Sequence, residues 1–456
     1  MSFTTWIPFA LVVLASWLVL NRWAFRDFMS PFNLLLPAWI VPLLLKALHL
    51  STREQSWSTE TVLMVTWVTL ALAGVSLFSA FLIRPRERLR PAAVFEGAKN
   101  LARTKIFQQL TLFWFLVGII SYFYFEFITN PIGIPILSYL KNPDISREPL
   151  WQWGKDIRLW PLPAMALVSV PVLYFISLCE TGRTKRALYF CLALVYPLAS
   201  LAKMSRIDAV TAVTSMVLVR YYFKRYESTE GSGSQGRPSF KKRMTYRVAV
   251  VLAVAGAILA SSTVFSTIRG NRTMGDLAGR LGITLDIPEP SRSVVVETYG
   301  YLALPFENLS NFVNEYPGGW NPGVGVLRPA YSLLQMGQIP KDELDKIDFP
   351  LRLLPINTEP FIAVVYAESG WLGVLLAPLL YAGLVNLIYV RFRERPTFVA
   401  TMTYIATPMS WLWMAMNAGF TDIRSYFYLL YPSLLFMQYL ALRNGRKSAQ
   451  LNHGPA

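Results

Sequence analysis

The chain has 456 residues, 54% of them hydrophobic and only 15% charged, with a mean hydropathy of +0.39 and a formal charge of +16. Soluble domains carry about 25% charged residues, so this composition excludes an ordinary soluble enzyme and makes a bilayer the solvent for most of the chain. The positive charge does not require nucleic acid, because Lys and Arg gather in short connections between apolar runs, as the positive-inside bias demands.

Eleven apolar runs predict eleven spans, near 5–21, 32–48, 61–83, 108–128, 161–179, 187–202, 209–223, 248–265, 368–390, 398–416 and 426–442. The first follows MSFTTW, which has neither a basic leader nor a small-residue cleavage site, so it predicts an uncleaved helix. Arg22 and Arg26 behind it orient the N-terminus outward and the C-terminus inward. In that orientation the cytoplasmic connections hold 25 Lys and Arg, including the basic loops 84–105 and 224–247. The outer connection 129–160 carries Trp151, Trp153 and Trp160, residues suited to the interface. Cys179 and Cys191 flank a turn, TGRTKR (181–186), that faces the reducing side; both read as small apolar residues, without a disulfide or a metal. Residues 227–238 (ESTEGSGSQGRP) read as a flexible linker. The tail 443–456 reads as disordered. The fold class expected is an all-α polytopic integral membrane protein: eight spans in 1–264, one large outer (periplasmic) loop in 265–357, three spans in 358–442 and a cytoplasmic tail.

The loop 265–357 runs against the charge of the chain, with eight basic and ten acidic residues. Within it Val295, Tyr299, Leu302, Phe306, Leu309, Val313 and Tyr316 recur at helical spacing, with Glu297, Glu307, Asn308, Asn311 and Asn314 on the polar side. Pro305 divides or kinks the pattern. The loop therefore predicts interfacial helices lying on the outer membrane surface.

Three groups of charges stand where a bilayer makes charge expensive. Span 209–223 covers about 22 Å at 1.5 Å per residue, less than the roughly 30 Å hydrocarbon core. With Lys224 and Arg225 pinning its inner end, Arg206 and Asp208 in KMSRID (203–208) would lie below the outer surface, facing a cavity or a partner. Arg269 and Arg272 in TIRGNR (267–272) share one side of a turn, and paired guanidinium groups suit the oxygens of a diphosphate. The segment NTEPFIAVVYAESGWLGVLLAP (357–378) opens a run from Pro360 to Val390 without a basic residue, longer than one span needs. Its extra turns predict an outward half-helix with a bend or close packing at Gly370 and Gly373, leaving Glu368 at the outer boundary as a candidate general base. Glu297, Tyr299, Arg328, Glu359, Tyr366 and Arg424 complete the candidate substrate contacts.

Only two histidines occur, His49 at the outer end of the second span and His453 in the tail, which argues against histidine acid–base chemistry and His-rich zinc sites. No phosphate-cradling glycine motif is present, so ATP-driven transport is unsupported.

The stretch TEPFIAVVYAESGWLGVLLAPLLYAGL (358–384), the Ser-Arg step of SRID (205–208) and a large outer loop before the last spans together resemble the Wzy-type oligosaccharide repeat-unit polymerases of bacterial O-antigen and exopolysaccharide pathways. The family commonly has Asp where this chain has Glu368. The resemblance implies an inner-membrane glycosyltransferase with its active site facing the periplasm. A growing glycan on undecaprenyl diphosphate would be transferred en bloc to a new lipid-linked repeat unit. The implied partners are the undecaprenyl-diphosphate-linked donor and acceptor, membrane lipid and a chain-length-regulating co-polymerase. No metal, cofactor or nucleic acid is implied. Arg206, Asp208 and Glu368 would be catalytic. The related O-antigen ligases resemble this layout but use a loop histidine that 265–357 lacks. Two other readings remain. A flippase of lipid-linked sugars suits the span count, although no repeat of fixed period is visible. A glycosyltransferase using a polyprenyl monophosphate sugar would need an acidic residue in the first outer connection, where STREQSWSTE (51–60) has Glu54 and Glu60 but no paired carboxylates.

Overall fold

The computed structural model describes residues 27–82 (save 28 and 55), 91–128, 134, 137, 161–202, 206–230, parts of 278–290, 291–315, 360–411 and 423–452. Expected spans 5–21 and 248–265, the tryptophans of 129–160, the linker from 231 onward and the end of the tail lie outside them. The described residues are helical throughout, apart from one isolated bridge between Ser51 and Ile283. Among the described residues five helices are long and apolar enough to cross a membrane: Thr59–Ser79, Lys105–Phe123, Leu162–Cys179, Arg183–Ala202 and Ser369–Glu394. The chain divides into two compact units.

The first unit contains α1 (Pro31–Lys46), α2 (Thr59–Leu82), α8 (Ser291–Leu302), α9 (Pro305–Glu315) and most of α10 (Phe361–Glu394). Its core joins Phe32, Trp39 and Leu43 of α1 to Val65 and Val68 of α2, and both to Phe306 of α9 and Phe361 of α10. The Trp39 ring meets Phe306 and Phe361 edge-on, with centroids 5.1 and 5.8 Å away, and its indole N–H donates to Thr69 Oγ1 at 3.0 Å. Lower down, Ser79 Oγ donates to Asn386 Oδ1 at 2.7 Å and Asn386 Nδ2 donates to Ser76 Oγ at 3.2 Å. Such hydrogen bonds between helices spare polar groups an apolar environment in which they would have no partner.

The loop pattern divides at Ala303–Leu304, and Pro305 opens α9, where its missing N–H costs nothing. Tyr299, Phe306, Leu309 and Val313 are buried, as the apolar face requires. On the polar side Glu307, Asn308 and Ser310 are buried, Asn311 is half-buried and Asn314 is exposed. These two helices pack into the unit, α8 against α1 and α9 against α2.

The long apolar run of α10 is broken where the glycines predict. Gly370 adopts φ 54 and ψ −146, a combination essentially confined to glycine. A side chain at Gly373 would strike the Val365 carbonyl oxygen at 2.9 Å, so the two halves of α10 pack closely here. The half-helix before the break does not stand free; Phe361, Ile362, Val365 and Tyr366 are buried in the core.

The second unit holds α3 (Pro91–Arg103), α4 (Lys105–Phe123), α5 (Pro161–Cys179), α6 (Arg183–Ala202), α7 (Arg206–Glu230), α11 (Phe398–Trp411, through Thr407) and α12 (Ile423–Asn452, from Tyr426). A π-helical turn, Tyr124–Ile128, extends α4. The basic segment 84–105 contains the amphipathic α3, whose Phe95 stacks on Tyr226 at 4.8 Å and meets Phe175 and Phe223 edge-on. Cys179 is buried, whereas Cys191 is exposed; both are free thiols. The expected span 209–223 lies inside a longer helix: α7 runs 25 residues, Arg206–Glu230, about 37 Å at 1.5 Å per residue, continuing through Lys224 and Arg225 at one end and including Arg206 at the other.

α4 and α5 cross where Gly118 faces Ala166. A Cβ on Gly118 would lie 2.2 Å from the Ala166 backbone nitrogen, so even the smallest side chain forces the helices apart. Gly118→Ala is expected to destabilise the chain by about 1–3 kcal/mol, the usual cost of overpacking, seen as a lower thermal midpoint in detergent. An unchanged midpoint would contradict this crossing.

Candidate functional site

Two clusters of polar side chains are built on the connection between α1 and α2 in the first unit. The first begins with Lys46, the last residue of α1, buried because the apolar turns before it enter the core. The chain leaves the helix through His49, which takes the left-handed φ of 49. It is then held by residues 281–283: Thr52 N–H donates to Gly282 O at 2.9 Å, and Ser51 Oγ donates to Leu281 O. Gly282 has φ 64, and a Cβ there would meet Thr52 Oγ1 at 2.3 Å, so the close approach requires glycine.

This turn aims Glu54 inward. Its Oε2 accepts from Lys46 Nζ at 2.5 Å and lies 3.0 Å from His49 Nδ1. Its Oε1 accepts from the Ser51 N–H at 3.2 Å and from the Tyr299 hydroxyl. Lys46 Nζ also lies 2.7 Å from Glu307 Oε2 of α9, which accepts from Trp57 Nε1 at 3.4 Å. The side chains of Lys46, Glu54 and Glu307 are 2% exposed or less, while His49 is nearly half-exposed. Burial first, then the hydrogen bond to Glu54, pushes the Tyr299 phenol well above the ordinary tyrosine range. A carboxylate offers about four acceptor positions, and Glu54 has four donors around it. It is therefore an anchor with no lone pair to spare for substrate.

The second cluster is different. Glu60, in the first turn of α2, accepts at Oε1 from Trp371 Nε1 at 2.7 Å and from the Tyr366 hydroxyl at 3.3 Å. Among the described residues its Oε2 has no partner. Tyr366 and Trp371 lie on opposite sides of the Gly370 break, so the kink lets one carboxylate receive both. Phe312 of α9 meets the Tyr366 ring edge-on at 6.1 Å. Burial, and after it the Glu60 charge, raises the Tyr366 phenol. Glu60 is thus positioned on one oxygen and open on the other, as a proton acceptor must be.

Of the residues singled out in the sequence, Tyr299 joins the first cluster, with its one hydroxyl proton committed to Glu54. Tyr366 joins the second, and Glu368 stands two residues further along the same half-helix, its side chain outside the described residues. Glu297 lies on α8, Arg206 opens α7 and Arg424 lies in the first turn of α12; their side chains are likewise not described. Asp208 is buried in the first turn of α7, in the second unit. Arg269, Arg272, Arg328 and Glu359 lie outside the described residues. Lys46 and Trp371 are not among the residues singled out in the sequence, Glu307 stands there only on the polar side of its helix, and 51–60 shows no paired carboxylates by spacing. Glu54 does have a carboxylate partner, but Lys46 supplies the link and Glu307 comes from a distant helix. His49, set aside there, sits against Glu54. A usable signal existed only for Trp371, which belongs to the same segment as Tyr366 and Glu368.

Among the described residues no three His, Cys, Asp or Glu side chains are grouped to hold a metal ion. No protein-family model, curated protein or solved structure matches the chain. Its class rests on its own helices, which fit an all-α membrane protein.

Lys46→Met leaves two buried carboxylates without their cation and is expected to cost about 3–5 kcal/mol. Adding Glu54→Gln and Glu307→Gln removes the stranded charges and should restore most of that loss; thermal unfolding of the single and triple variants measures both. Tyr299 also makes stability depend on pH. The unfolded phenol ionises near pH 10, whereas the folded one keeps its proton, so stability is fully present below about pH 10 and falls as pH rises beyond it. Tyr299→Phe should lose less stability between pH 9 and pH 11 than the parent chain, as read by denaturant unfolding at the two values.

Proposed function

We propose that this chain is a membrane glycosyltransferase that polymerises undecaprenyl-diphosphate-linked oligosaccharide repeat units at the periplasmic face of the bacterial inner membrane. The observation that carries the reading is the Glu60 carboxylate, held by Tyr366 and Trp371 with one oxygen open, at the break in α10 beside Glu368. That break falls in the segment whose sequence resembles the repeat-unit polymerases. Donor and acceptor are both lipid-linked, which suits a site carried by helices of membrane length.

In the proposed reaction the acceptor sugar hydroxyl attacks the anomeric carbon of the donor glycan. Its proton passes to a carboxylate, Glu60 or Glu368, as the new glycosidic C–O bond forms. The bond from the anomeric carbon to the diphosphate oxygen breaks, and undecaprenyl diphosphate leaves with the electron pair. Arg206, Arg269 and Arg272 are assigned to the departing diphosphate, whose charge guanidinium groups neutralise without a divalent ion. Arg328, Glu297, Glu359 and Arg424 are assigned to the sugars and the lipid carriers. A co-polymerase that sets chain length would act on the same enzyme.

A second reading, transfer from a polyprenyl monophosphate sugar, is favoured by one feature: the organised carboxylates Glu54 and Glu60 lie in and just after the first connection between described helices, Glu60 in the first turn of α2. The donor separates the two. Purified protein given undecaprenyl-diphosphate-linked repeat units should yield a ladder of glycans, and Glu60→Gln should slow it by about 100-fold or more while the protein stays folded. Arg206→Ala and Arg272→Ala should abolish the ladder. Addition of single sugars from a monophosphate donor, with no ladder from the diphosphate substrate, would replace the first reading by the second. A full-rate ladder from Glu60→Gln would remove Glu60 from the chemistry.

A further inference from the structure

The second unit carries a feature that the glycosyltransferase reading does not use. A cavity of about 660 Å³ lies among α5, α6 and α7, in the size range of small-molecule sites. Three guanidinium groups reach it: Arg183 and Arg186 from the first turn of α6, and Arg220 from α7. Among the described lining residues Glu227 is the single carboxylate against them. Arg186 is held in place, donating Nε and Nη2 to the Glu180 carbonyl at 3.1 and 2.8 Å beyond the end of α5. Arg183 and Arg220 make no ion pair or hydrogen bond among the described residues, although Arg220 is partly buried. Tyr174, Phe190 and Phe223 form the apolar wall.

Arg183 and Arg186 are exposed, and Arg220 is half-buried beside aromatic rings, where an anion would offset the loss of its water. Planar guanidinium forks match phosphate oxygens, and the N-terminal turn of α6 adds its own partial positive charge. An aqueous anion has no use for the aromatic wall, whereas an acyl chain does. Basic pockets between membrane helices on the cytoplasmic side are suited to anionic headgroups, and the TGRTKR turn that supplies Arg183 and Arg186 is one of the connections whose charge places it on that side. We propose that this cavity binds the phosphate headgroup of an anionic membrane lipid, with Arg183 and Arg220 on the phosphate oxygens and the aromatic wall against the acyl chains.

The test uses the full chain in nanodiscs of zwitterionic phosphatidylcholine. Replacing a rising fraction of that lipid with phosphatidylglycerol should raise the thermal midpoint saturably. Arg183→Gln/Arg220→Gln should need about tenfold more phosphatidylglycerol for the same rise. Arg443→Gln, an exposed change elsewhere on the unit, should respond like the parent. If the double variant does not fold, the exposed Arg183→Gln alone carries the comparison. Equal responses of parent and pocket variants, or an equal loss in Arg443→Gln, would overturn the proposal. So would a rise of the same size from millimolar inorganic phosphate in pure phosphatidylcholine, lost in the pocket variants, because the ligand would then be free phosphate rather than lipid.

Discussion

The first unit depends on a lysine that cannot be buried alone. An ammonium group withdrawn from water costs several kcal/mol, and Lys46 is withdrawn completely. Glu54 and Glu307 share it, and each in turn needs the donors that Tyr299, Ser51 and Trp57 provide. The cluster draws on α1, the connection after it, α8 and α9, so segments about 250 residues apart in sequence are fixed by one charge balance. Replacing all three ionic groups by apolar ones of equal size need not weaken such a core. What the charges supply is discrimination: a shifted register of α8 or α9 would strand a buried ion, and that state is excluded by far more than a misplaced methyl group would exclude it.

The same logic explains why the break in α10 is tolerated. Gly370 interrupts the helical backbone, and in an apolar environment freed N–H and C=O groups need partners. Here the half-helix before the break is buried among α1, α2 and α9, and residues on both sides of it meet at one carboxylate, Glu60. The backbone before the break is enclosed by protein, whereas Gly370 itself is half-buried with open space beside it.

Much of the architecture was legible in the sequence because it follows from local rules. Apolar length marked α2, α4, α5 and α6, and the two glycines of the ESGWLG stretch marked the bend in α10. The division of the loop helices was readable from Pro305 and the apolar spacing. What failed has a common cause. Hydropathy ends a span at Phe223, yet hydrogen bonding continues α7 through Lys224 and Arg225, because long cationic side chains do not oppose helical backbone. Glu307 was placed on a solvent-facing side because its partner, Lys46, is remote in sequence and no local pattern announces a pair of that kind. His49 and Glu54 are both named in the sequence, but their contact with each other, and that of Glu54 with Lys46, follow from no local pattern. Tyr366 could be named as a candidate, but not the carboxylate that it serves.

The two carboxylates of the connection after α1 differ in one respect that decides what each can do. Glu54 is surrounded by donors on both oxygens, so a proton arriving there would have to displace the Lys46 ammonium, His49, the Tyr299 hydroxyl or a backbone N–H. Any such displacement would loosen the junction of α1 with α8 and α9. Among the described residues Glu60 has its donors on Oε1 alone. Both come from rigid aromatic side chains with few rotatable bonds, so the second oxygen is held in direction without being occupied. A general base must keep a lone pair aimed at its proton while its own position is fixed by other contacts. Glu60 satisfies both conditions and Glu54 only the second. The buried ion cluster fixes α9 and, through Phe312 against Tyr366, supports the half-helix whose tyrosine donates to Glu60.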